Sequence, residues 1–159
     1  MTEYTIVEKD SFIVIGIGTE LKSNYTDLAS LNKEKSDFWQ AIRKDGRLAT
    51  LKAIATNDYI FAVNEAVNNK MMHYAGVMTE AAAPENTRVI QFTKGEYLVV
   101  KGEEKTAGEL NNTLTGLAFG QVLPEAKGFA YVGGPNAMVE MGHRNGFVFG
   151  EMWIPVVKI

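Results

Sequence analysis

The chain of 159 residues repeats one order of elements, strand, helix, strand, strand, and this repetition constrains the fold more than any single motif. In the first half, FIVIGIGTEL from Phe12 to Leu21 is rich in β-branched residues and reads as a strand. Leu28, Leu31, Phe38 and Ile42 then fall on one helical stripe, which Asp45-Gly46 closes because glycine accepts a left-handed cap. Leu48 to Ala55 reads as a second short helix. DYIFAVNE and MMHYAGVM are two strands around the turn VNNK.

The second half follows the same order. RVIQF and EYLVVKGE are strands. Thr106 with Glu109 forms a capping box ahead of Leu110, Leu114 and Leu117, and the helix is expected to stop before Pro124. FAYV is a short strand, AMVEMGH a longer one, and Arg144-Asn145-Gly146 turns the chain into the final strand FVFGEMWIPVVKI. AAAPENT, residues 81–87, has the composition of a linker. The expectation is one α+β domain over residues 1–159, with halves at about 1–80 and 88–159. Two pseudo-twofold βαββ units should share an antiparallel sheet with helices on one face and a central ligand cleft at the seam. Overlaying the hairpins puts Tyr74 opposite Trp153 and Gly76 opposite Pro155.

Composition removes several classes of function. With no cysteine, disulfides, thiolate metal sites and cysteine nucleophiles are out. His73 and His143 lack metal-ligand spacing, so no metal is expected and a core or surface role is assigned to each. Gly16-Ile17-Gly18 lacks the third glycine of a dinucleotide fingerprint, and no phosphate-binding residue follows Gly133-Gly134, so no cofactor is expected. A net charge of −3 with scattered basic residues argues against direct nucleic-acid binding. No apolar run is long enough to span a bilayer and the N-terminus has no signal core, which points to a cytoplasmic protein without membrane contact.

One carboxylate stands out. Glu140 lies in a strand of otherwise apolar residues, with Met138 and Gly142 on its own face in a regular alternation. Burying a lone carboxylate is costly unless it is paired or protonated. On the next strand, Phe147, Phe149, Glu151, Trp153 and Pro155 share one face, while Met152, Ile154 and Val156 suit a core. With Trp39, Tyr74 and Tyr97, the chain offers several rings and two strand carboxylates that could converge. Aromatic faces attract a cation through their quadrupole, by up to about 2 kcal/mol when dry. The set therefore suits a flat apolar cation. Each aromatic also has a plain core reading, and Glu151 has one as the cross-strand partner of a lysine.

The tail VEMGHRN…FGEMWIPV resembles the closing hairpin of the GyrI-like superfamily, also described as AraC-type effector-binding domains. TKGEYLVV, SDFWQAI and DYIFAVNE…MHYAGVM resemble further segments of that family, so the resemblance spans nearly the whole chain. It implies two SH2-like βαββ units and a pocket for amphipathic, often cationic or aromatic, small molecules. It also implies that Glu140 is the central pocket glutamate, with Trp39, Tyr97 and Trp153 where pocket aromatics fall. Gly142 departs from the family pattern, in which an aromatic follows that glutamate closely. No residues remain for a helix-turn-helix domain, so the chain resembles a stand-alone drug or toxin sensor or sequestering module related to transcription regulators. Two alternatives accompany this reading. One is a GyrI-like hydrolase of electrophilic compounds with Glu140 as general base and Tyr97 assisting. The other is a gyrase-inhibitor-like module with a protein partner.

Overall fold

The computed structural model describes residues 3–24 and 26–159. Its strands are β1 (Thr5–Lys9), β2 (Phe12–Leu21), β3 (Ile60–Val67), β4 (Lys70–Met78), β5 (Arg88–Phe92), β6 (Gly95–Glu104), β7 (Phe129–Tyr131), β8 (Asn136–Arg144) and β9 (Phe147–Lys158). They form one antiparallel sheet in the order β1-β6-β9-β8-β3-β4-β2-β5, with β7 added to the end of β9. The helices are α1 (Leu28–Lys44), α2 (Arg47–Ile54) and α3 (Ala107–Leu117). Among the described residues no helix is long and apolar enough to cross a membrane.

The strand order is symmetric about the β3–β8 contact. The first unit contributes β3-β4-β2 and the second β8-β9-β6. Tyr74 and Trp153 occupy matching places on the middle strands, and their cross-strand neighbours Val63 and Ala137 pair with each other over the seam. The leading strands are exchanged between the units: β1 lies against β6, and β5 lies against β2. The segment Thr5–Lys9, which sequence patterning left without an element, is a strand through this pairing, as its side chains are mostly exposed.

Two short links set the curvature. β1 is at one edge of the strand order and β2 is next to the other, yet they are joined through Asp10 and Ser11 alone. β5 and β6 are likewise joined through Thr93 and Lys94. A two-residue link spans only about 7–11 Å, so the sheet curls until its ends meet. The concave side fills with Phe61, Phe92, Tyr97, Val99, Val139 and Trp153. Phe12 seals it, stacked on Phe92 at 4.6 Å between centroids and edge-on to Trp153 at 5.7 Å.

All three helices lie on the convex side. Leu110 and Leu114 of α3 are fully buried over Leu98, Val100, Met152 and Ile154. Burial of each leucine contributes about 1.5–3 kcal/mol. Thr106 caps α3, its hydroxyl accepting from the Glu109 N–H at 3.1 Å. Ile42, Leu48 and Leu51 of α1 and α2 cover Ile15, Ile17 and Val77. Asp27 caps α1, and Gly46, at φ 86°, makes the left-handed turn into α2. Leu28, placed by its spacing on the apolar stripe, faces solvent instead. The chain also continues past α3 through a π-helical turn, Ala118–Val122, into the helical turn Leu123–Glu125. The helical path expected to stop before Pro124 therefore runs through it, with Pro124 the second residue of the last turn.

One irregularity decides the orientation of Glu140. Asn145 and Gly146 both have positive φ and form a two-residue hairpin turn. A strict ladder from that turn, continuing Arg144↔Phe147 and Gly142↔Phe149, would set Glu140 opposite Glu151 on the concave side. A bulge at Met141 shifts the register, so Glu140 lies opposite Gly150 instead. A one-residue slip exchanges the faces of a strand. Met138 and Glu140 therefore face the helices, while Gly142 faces the other way, with the Phe149 ring against it. A side chain at position 150 would collide with the Val139 carbonyl, so Gly150 permits the close approach at the bulge.

Candidate functional site

α1 and α3 stand apart above the β3–β8 seam and leave a cleft of about 230 Å³ between them. Its floor is Ile60 and Ala62 of β3 with Met138 and Glu140 of β8, which are direct cross-strand pairs. Glu140 is only 9% exposed, and among the described residues none gives it a hydrogen bond or an ion pair. A carboxylate so placed lacks the compensation that buried charges usually find.

The α1 wall is a helical row. Lys35, Trp39 and Arg43 are four residues apart and so stack on one face, with Asn32, Ser36 and Gln40 in the adjacent row. Trp39 is held from behind. Its indole N–H donates to His73 Nε2 at 3.0 Å. Because that nitrogen accepts, the imidazole proton sits on Nδ1 and donates to Asn64 Oδ1 at 2.8 Å. The Asn64 amide reaches on toward Asn136 Oδ1 at 3.5 Å. His73 is 1% exposed, and burial, aided by the nearby Lys35 ammonium, lowers its pKa to about 3. It is a neutral spacer that fixes the plane of Trp39. The Arg43 guanidinium lies 5.3 Å from the centre of the Trp39 ring. On the α3 side, Asn111 Oδ1 is buried with no donor.

Of the residues singled out from sequence, Trp39 and Glu140 meet in this cleft. Tyr74, Tyr97 and Trp153 belong to the concave core, beyond the sheet. Tyr97 donates its hydroxyl to the Thr93 carbonyl at 2.7 Å, so a Glu140–Tyr97 pair for hydrolysis is divided between the two faces. Glu151 accepts from the Trp153 indole at 2.8 Å and pairs with Lys101 of the adjacent strand at 3.8 Å.

On the concave side Trp153 and Glu151 meet a cation that the chain itself supplies. Lys9 Nζ lies 3.8 Å from the centre of the Trp153 ring. Burial lowers the Lys9 pKa, and the Glu151 carboxylate opposes that shift. Lys9→Gln should cost about 1 kcal/mol of stability, measured by urea denaturation; an unchanged midpoint would show that the contact contributes nothing.

Sequence reasoning missed Lys35, Arg43, Asn64, Asn111 and the positioning role of His73. The four-residue spacing of Lys35 and Arg43 about Trp39 was the available signal for the first two. Among the described residues no three potential ligands stand together to hold a metal.

A curled antiparallel sheet with three helices outside it and a cleft at its pseudo-twofold seam defines the class of effector-binding domains. Within it, the family model described as integron-associated effector binding protein matches residues 5–156, and the chain belongs to that family. SAV2435, solved bound to tetraphenylphosphonium, is similar in fold with a TM-score of 0.79 at 17% identity, over 98% of this chain and 94% of that one. A putative transcription regulation protein from Staphylococcus aureus has a TM-score of 0.76 at 16% identity, covering 98% and 99%. An integron cassette protein of Vibrio cholerae has a TM-score of 0.67 at 10% identity, covering 97% and 95%. No curated protein matches the chain in sequence.

Proposed function

We propose that the cleft binds a lipophilic organic cation, with Glu140 as counter-charge and Trp39 as the aromatic wall, and that the protein senses or sequesters such compounds. The observation that carries this reading is Glu140: a buried carboxylate on an apolar floor, open to a cleft and without a partner among the described residues. A bound cation relieves the cost of that burial and gains the attraction of the indole face. Tetraphenylphosphonium in a protein of the same fold supports the reading. We also place the chain in the wider GyrI-like group, on the strength of Gly150 to Val156.

The test uses two ions of one shape and opposite charge. Calorimetric titration with tetraphenylphosphonium should give saturable one-to-one binding, and tetraphenylborate should give none. Equal binding of the two, or binding of neither, would overturn the assignment.

A further inference from the structure

The cleft is not uniformly suited to a simple cation. Lys35 and Arg43 bracket Trp39 on the same wall, one turn to either side. Lys35 is half-buried, and among the described residues no carboxylate pairs with it. Its pKa lies below that of an ordinary lysine because of burial. Arg43 likewise has no carboxylate partner among the described residues; its guanidinium lies 5.3 Å from the centre of the Trp39 ring with its N–H groups still available. A monocation stacked on Trp39 would relieve Glu140 while meeting two positive side chains, so half of the site would be opposed to it.

We infer that the ligand class is dipolar: an aromatic or amphipathic body with a cationic centre held at the floor by Glu140 and a carboxylate or similar anionic group held at the α1 wall by Lys35 and Arg43. This deepens the function proposed above and rests on it. The two poles have different depths. Glu140 sits on the sheet floor at 9% exposure. On the α1 wall Lys35 is half-buried and Arg43 is exposed, so a charged group held there by Arg43 keeps part of its hydration. A ligand with both charges leaves neither the acid below nor the ammonium above without a counterpart.

A matched pair of probes separates the poles: (4-carboxybutyl)triphenylphosphonium and its methyl ester, which share one cation and differ by one negative charge. In calorimetric titrations of the intact protein, the acid should bind about tenfold more tightly than the ester, the size of a charge-assisted contact. Lys35→Met should remove that preference by weakening the acid and leave the ester unchanged or slightly tighter, because a repulsive neighbour is gone. Arg43→Gln, at a solvent-exposed position, is the second variant and should shift the ratio in the same direction. Acid and ester bound equally by the wild type, or a Lys35→Met variant that weakens both alike, would overturn the dipolar ligand and leave the cation reading standing. If neither probe binds, both readings fall.

Discussion

Replacing Glu140 with Gln should make the free protein more stable and its grip on a lipophilic cation weaker. The two effects come from one cause. Glu140 is nearly buried and has no partner among the described residues, so the folded protein carries the cost of desolvating a charge without recovering it. An amide of the same shape carries a smaller cost. The expected gain is about 1 kcal/mol or more in unfolding free energy. Binding should move the other way. Losing one partner of a desolvated charge pair costs about 2 kcal/mol or more, which is about a thirtyfold weaker dissociation constant for tetraphenylphosphonium. A carboxylate kept for structural reasons predicts the reverse: a lower melting temperature and unchanged affinity. Thermal unfolding and calorimetry on the same two proteins read both quantities, and that reversed pair of results would remove Glu140 from the site.

Much of the architecture was legible because it is written in local patterns. The α3 cap at Thr106, the buried Leu110 and Leu114, the Asn145-Gly146 turn and the matching of Tyr74 with Trp153 follow from spacing and turn chemistry. What was not legible depends on long-range pairing. β1 has no hydrophobic period and becomes a strand by lying against β6. Period-two reading correctly grouped Glu151 with Trp153 on one face of β9 but could not tell which face turns inward, since the curl comes from the two-residue links between distant edges.

The bulge at Met141 is the sharper case. With strict alternation, Glu140 joins Glu151 and the concave aromatics; one extra residue sends it to the helix side, where Trp39 is the ring it meets. By contrast, the pairing of His73 with Asn64 could have been read. The turn at Asn68 and Asn69, both at positive φ, fixes the β3–β4 register and sets those two residues opposite each other.

That pairing leads to the second large effect. Folding should weaken by about 2 kcal/mol between pH 7 and pH 5 through His73 alone. In the unfolded chain the imidazole titrates near its ordinary 6.5; in the folded protein it stays neutral down to about 3. Between those values the unfolded state binds the extra proton. The stability tied to neutral His73 is thus present above pH 6.5 and lost progressively as the pH falls toward 3. The structural reason is that both ring nitrogens are committed: Nδ1 donates to Asn64, and Nε2 must keep its lone pair to accept from Trp39. A second proton on the ring would break the contact that fixes the cleft wall and put a cation beside Lys35. His73→Gln should be less stable than wild type at pH 7, yet its urea midpoint should fall less between pH 7 and pH 5, with about 2 kcal/mol of the wild-type loss missing. Equal losses in the two proteins would show that other groups carry the acid sensitivity and that the relay through His73 tolerates the proton.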